Sequence, residues 1–175
     1  MSVKSKVRSA TRAVAQAFST ESGNPAEVDI LDTLKKEHDE VKVLLSDLQK
    51  ATTAAQRRGL VQKIKVALIP HTKAEEKVVY DAVIGLRDKD AQVDAHEGYL
   101  EHEWASKTLQ RLDSIANPTS PEHKATAKVL KELVEHHIRE EESNVWDDVT
   151  ENFSADDRKR MNVAFERAKI RVKIP

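Results

Sequence analysis

From Asp29 onward the apolar residues return at intervals of three and four, and this period restricts the 175-residue chain to helices. Leu31, Leu34, Val41, Leu45 and Leu48 form the first stripe, which predicts a helix over about 29–55. Gln56-Arg57-Arg58-Gly59 is read as a weak interruption. A second stripe then runs through Ile64, Ala67, Leu68, Val78, Val79 and Ala82 to Gly85. Pro70 lies inside that helix, where its missing N–H and its ring predict a kink rather than an end, because the period resumes beyond it. Arg87-Asp88-Lys89-Asp90 marks the next turn, and a third helix carries Ala95, Tyr99, Leu109 and Leu112. The clearest break is Asn117-Pro118-Thr119-Ser120-Pro121-Glu122, with Thr119 or Ser120 as N-cap of a fourth helix bearing Leu130, Leu133, Val134, Val145, Trp146 and Val149. Ser154-Ala155-Asp156-Asp157 reads as a capping box opening a short terminal helix through Met161, Val163, Ala164 and Phe165.

Composition agrees. Apolar residues make up 39% and charged residues 34%, too apolar for a disordered tail, and 4 Gly with 5 Pro are too few for a sandwich of short strands. The expected fold is all-α: an up-down-up-down antiparallel four-helix bundle with short additional N- and C-terminal helices. Residues 1–28 are expected to form a basic, partly helical extension, 29–152 the bundle, and 153–175 a C-terminal helix and tail. Within the extension, Lys4, Lys6, Arg8 and Arg12 occur without any acid before Glu21, a loose match to an organellar transit peptide, with a loosely docked extra helix as the preferred reading.

The formal net charge of −1 gives no field for gathering phosphates or anionic lipid, so neither a nucleic acid nor a membrane is expected as partner. With 0 Cys there are no disulfides, thiolate zinc sites, iron–sulfur clusters or thiol nucleophiles. No stretch has the roughly 20 apolar residues needed to span a bilayer, and the expected location is cytoplasmic.

The histidines concentrate the chemistry. His38, His71, His102 and His137 fall on the apolar stripes of their helices, whereas His136, flanked at those offsets by Glu132 and Glu140, is read as outward. His96 and His123 are read as surface residues. Glu75 follows His71 by four and Glu141 follows His137 by four, so each pair projects from one helix face a turn apart. The match extends along HTKAEEKVVY and HIREEESNVW: acids at four and five, valine at eight, an aromatic at nine.

In an antiparallel hairpin, residues equidistant from the turn are level. Taking the centres of the two His/Glu pairs, the midpoints between successive sites fall at about 55.5, 87.5 and 120.5. All three land on or beside the breaks already read, which predicts that six side chains share one layer. Four imidazoles and two carboxylates in an apolar layer are costly to desolvate unless something shared compensates them, and a metal centre does so.

Imidazole and carboxylate donors suit iron, manganese, zinc or copper, and six protein ligands exceed a four-coordinate zinc site. A pair of ions fits better, with Glu75 and Glu141 each bridging and an oxo or hydroxo group as a further bridge. Two iron ions are preferred over zinc or manganese because redox chemistry would use the coordination position left open. Tyr99, one turn before His102, is read as a donor to a side chain that holds the metal, an added ligand or a packed aromatic, with packing favoured. Glu37, Glu40, Glu101 and Glu103 flank the histidines and are candidates to orient imidazole N–H groups, most of them expected to face water.

The order of single His, H-x-x-x-E, single His, H-x-x-x-E, carried by LKKEHDEVKVLL, LIPHTKAEEKVVY, EHEWASKTLQRL and LVEHHIREEESNVW, resembles the hemerythrin-like family with its HHE cation-binding domain. The resemblance covers about 31–150. It implies a di-iron four-helix bundle handling dioxygen or related oxidants, with His38, His71, Glu75, His102, His137 and Glu141 as ligands. Oxygen-carrying members have a further histidine four residues after that of the third helix, where this chain has Ser106. Reversible oxygen storage therefore yields to sensing, peroxide or nitric oxide chemistry, or iron handling. The expected ligand is a diatomic or a peroxide, with peroxide decomposition as a candidate activity and a non-enzymatic iron-binding or iron-sensing protein as the alternative. A purely structural bundle is the third reading.

Overall fold

The computed structural model describes residues 24–175, among which every regular element is helical. The basic segment over residues 1–23, and with it the transit-peptide or extra-helix reading, lies outside the described residues. The first helix, α1 (Ile30–Lys50), is capped by the Asp29 carboxylate on the Leu31 N–H. Its buried residues Ile30, Leu34, His38, Val41, Leu45 and Leu48 are spaced by fours and threes, so His38 belongs to the core stripe itself.

The second helix starts at Ala54, earlier than the sequence reading placed its break. Thr53 and Gln56 form a reciprocal capping box that fixes α2 (Ala54–Glu75), so the Gln56–Gly59 stretch is helical and the turn is Ala51–Thr53. Arg57, expected in a connection, is buried and donates to the Leu48 and Ala51 carbonyls that end α1. Its partner is His123 Nδ1, at 3.2–3.3 Å. His123 is only 2% exposed, which corrects its reading as a surface residue: a buried guanidinium needs an acceptor, and His123 supplies it.

The chain continues through Pro70 into a π-helical turn, π1 (Glu76–Tyr80), and a last α-turn, α3 (Asp81–Ile84). A π-turn absorbs one extra residue and advances the phase of everything after it. The buried positions are consequently Val79, Tyr80 and Val83, while Val78 and Ala82 are only partly covered. Next come α4 (Lys89–Ser114), capped by Asp88, and α5 (Pro121–Glu140), capped by Ser120. A second π-turn, π2 (Glu141–Val145), leads without a gap into α6 (Trp146–Asn152). The Ser154/Asp157 capping box starts α7 (Ala155–Lys169), as its sequence signature predicts.

The buried apolar residues fall into two groups. One gathers Val41, Leu45, Leu48, Val61, Ile64, Leu68, Leu109, Leu112, Leu130 and Val134; the other Ile30, Leu34, Val79, Val83, Ala91, Ala95, Val145, Val149 and Phe165. On each long helix the inward histidine lies between the two groups, so the core is an apolar stack interrupted by one polar layer. No described helix is long and apolar enough to cross a membrane.

Candidate metal centre

The six side chains selected from the sequence all reach that layer, and none is more than 7% exposed. His71 Nε2 and His102 Nε2 lie 3.3 and 3.5 Å from the same oxygen of Glu75. Glu141 repeats this, one of its oxygens lying 3.3 Å from His38 Nε2 and 3.5 Å from His137 Nε2. The imidazoles pair across the layer, His38 with His71 at 5.1 Å between ring centroids and His102 with His137 at 4.6 Å. Two donor groups result, His38/His71/Glu75 and Glu75/His102/His137, each compact enough for one ion and sharing Glu75. His38 Nε2 and all four oxygens of Glu75 and Glu141 are buried without a hydrogen-bond partner. Buried polar atoms that converge unpaired on a common space are what a cation would satisfy, so the donor set fits a metal group.

Behind each imidazole stands a glutamate. His71 Nδ1 is 2.9 Å from Glu37, His38 Nδ1 is 3.0 Å from Glu142 and His137 Nδ1 is 2.7 Å from Glu101, all within hydrogen-bond reach, whereas His102 Nδ1 lies 3.4 Å from Glu76 without a formed hydrogen bond. A carboxylate on Nδ1 keeps the proton there and turns the Nε2 lone pair toward the centre. Three of these glutamates are held in turn by lysines: Glu37 by Lys169, Glu76 by Lys73 at 2.7 Å, and Glu142 by Lys35 at 3.6 Å.

Of the four flanking acids considered from the sequence, Glu37 and Glu101 back imidazoles, but on helices other than their own. Glu40 and Glu103 do not; Glu103 is exposed and pairs with Lys107. Glu76 and Glu142 were missed. The doubled acid in HTKAEE and REEE carried the signal: in each repeat the acid at four points into the layer and the acid at five backs an imidazole of another helix. With Glu37-His38 and Glu101-His102 preceding them, the pattern E-H then H-x-x-x-E-E occurs twice.

Tyr99 is not directed at the donors. Its hydroxyl lies 2.9 Å from the Glu76 carbonyl and 2.8 Å from Asp81 Oδ1, two acceptors that share its one proton, which braces π1. Tyr80 was not singled out and proves closer to the chemistry. It is fully buried, its ring lies 5.3 Å from that of His102, and its hydroxyl has no partner. Burial first, and then the charges of Glu141, Glu75 and Glu101, push this phenol well above its usual range. The equivalent residue of the second repeat, Trp146, stacks on His38 at 6.0 Å. From α7, Phe165 packs edge-on against His71 at 5.9 Å. His136 is exposed and His96 likewise, as expected.

Without a cation the layer is an imidazole–carboxylate network. Burial would lower the His71 pKa, but Glu75 and Glu37 outweigh it and raise it from 6.5 to about 10. A raised histidine pKa stabilises the fold fully below 6.5, and this contribution disappears as the pH rises through about 10. Chelator-treated protein is therefore expected to melt at falling temperature over that interval, while cation affinity rises over it because the ligand must lose its proton. A melting temperature of the chelated protein that is flat or rising with pH would contradict the assignment.

A family model described as the hemerythrin HHE cation-binding domain matches residues 29–146. A protein of Nostoc sp. (strain PCC 7120 / SAG 25.82 / UTEX 2576) named DNA nickase is 26% identical over 153 residues, covering 87% of this chain but 42% of that protein. No solved structure matches significantly. With the family match extending over most of the described helices and both H-x-x-x-E pairs meeting in one layer, this chain belongs to the hemerythrin HHE cation-binding domain family.

Proposed function

We propose that this chain is a non-haem di-iron protein that binds or senses dioxygen, peroxide or nitric oxide at its His/Glu layer, with the four long helices running up-down-up-down around it. The observation that carries the reading is the sharing of Glu75 and Glu141 between imidazole pairs, since a carboxylate placed between two donor groups serves two ions better than one. Iron bound there would supply redox chemistry toward small oxidants, which zinc would not. The protein's own contribution is positional. Glu37, Glu76, Glu101 and Glu142 hold the imidazoles with Nε2 inward, and the apolar groups on either side exclude water. A cavity of about 10 Å³ lined by Glu97, Gly98, Glu101, His137, Glu141 and Asn144 is the narrow approach to the layer, scaled to a water or a diatomic.

Purified protein is expected to contain iron at about two per chain, with a near-ultraviolet charge-transfer band that changes on adding peroxide. A colourless protein carrying only zinc would contradict the proposal.

A second reading, iron sensing or handling without turnover, is favoured by α7. Phe165 rests on His71 and Lys169 grips Glu37, so the terminal helix touches the side chains that loading would order. The likeness to a DNA nickase favours a nucleic-acid role instead. Conversion of a supercoiled plasmid to nicked circles with ligatable ends would bring that role forward, and an intact plasmid would set it aside.

A further inference from the structure

Tyr80 Oη is orphaned in the same layer as His38 Nε2 and the four carboxylate oxygens of Glu75 and Glu141. The structure makes room for it deliberately on two sides. π1, which begins immediately after Glu75, brings Tyr80 to the inward phase, and Gly98 on α4 leaves open the space that the phenol occupies. A Cβ at Gly98 would stand 2.6 Å from Tyr80 Cζ and 2.8 Å from its hydroxyl oxygen. Gly98 is one turn before His102 on the same buried stripe, so the notch is cut beside a proposed ligand. The carboxylates of Glu141, Glu75 and Glu101 are its charged neighbours, and the hydroxyl makes no hydrogen bond of ordinary geometry. Its oxygen is unpartnered for the reason theirs are.

Resting on the di-iron reading above, we propose that Tyr80 is a further metal ligand, its phenolate oxygen binding the cation held by His102 and His137. On binding, the O–H bond breaks, the proton leaves to solvent, and the oxygen keeps the electron pair it shares with the cation; no oxidation state changes. The second repeat cannot copy this. Trp146 takes the equivalent place beside His38, and an indole N–H donates only. The two cation positions are thus inequivalent: the one beside His102 and His137 gains an oxygen donor that the one beside His38 and His71 lacks.

The chain has 2 Tyr, which makes the test compact. Full-length protein is loaded anaerobically with ferrous iron, oxidised with ferricyanide, and examined by visible absorption and resonance Raman spectroscopy. Wild type and Tyr99→Phe are expected to show a phenolate-to-iron charge-transfer band with enhanced ring modes. Tyr80→Phe is expected to keep its iron content and lose the band. Gly98→Ala, whose Cβ displaces the phenol, should lose it as well, which covers a failure of Tyr80→Phe to fold. Iron-loaded wild type without the band, or a band that survives Tyr80→Phe, overturns the assignment while leaving the di-iron reading intact. Wild type that takes up no iron overturns both.

Discussion

Glu75→Ala is expected to empty both cation positions at once. One oxygen of Glu75 faces His71 and His102 together, and the carboxylate is common to both compact donor groups. Its removal therefore takes an anionic ligand from each position and leaves four imidazoles facing one carboxylate in a layer almost closed to water. Even an outer carboxylate behind a metal-bound histidine is worth about 10–100-fold in affinity, so a shared inner one should be worth more than about 100-fold for each ion. His38→Ala is the contrast, since it removes one donor from one group. Metal analysis after gel filtration should find almost no iron in Glu75→Ala and roughly half the wild-type content in His38→Ala. Equal iron in wild type and Glu75→Ala would remove Glu75 from the site. Helix content should hold in both variants, because the apolar groups above and below the layer are untouched.

Stripping the metal is expected to lower the melting temperature sharply. A cation that binds only the folded chain stabilises it by about 4 kcal/mol when present at a thousand times its dissociation constant. For a chain of this size that corresponds to roughly 8–16 °C. The physical source is the layer itself: His38, His71, Glu75, His102, His137 and Glu141 have all been taken out of water, and desolvated charges are compensated well only when something lies between them. Scanning calorimetry of iron-loaded and chelated protein at one pH measures the difference. Coincident transitions would mean that the bundle is held by its apolar groups alone.

Much of this was legible along the chain because a buried stripe imposes its own period. His38 sits four after Leu34 and three before Val41, and both of those neighbours are buried. Equidistance from the turns held at the second and third connections but not at the first, which lies at Ala51–Thr53 rather than at Gln56–Gly59, so that the midpoint of about 55.5 falls inside α2. That error came from weighing Arg57, Arg58 and Gly59 as a polar break. Arg57 is buried through bonds to residues 6, 9 and 66 positions away, a circumstance that no local pattern contains. His123 was misread for the same reason.

The π-turns also escaped a reading based on constant period. After Glu75 the extra residue kept Val79 buried as read, but replaced Val78 and Ala82 on the inner face by Tyr80 and Val83. The glutamates behind the imidazoles were half-visible. Glu37 and Glu101 were considered as neighbours of their own histidines, but each serves a histidine of another helix, and a one-helix reading cannot make that assignment. The doubled acids of the repeat hold the missing half, Glu76 and Glu142.

Anomalous diffraction from crystals of the iron-loaded protein, collected at the iron edge, tests the central claim most directly. The account predicts a pair of peaks in the buried layer, one beside His38 and His71, the other beside His102 and His137, with Glu75 and Glu141 reaching both. A single peak, or iron only at surface carboxylates, would contradict it.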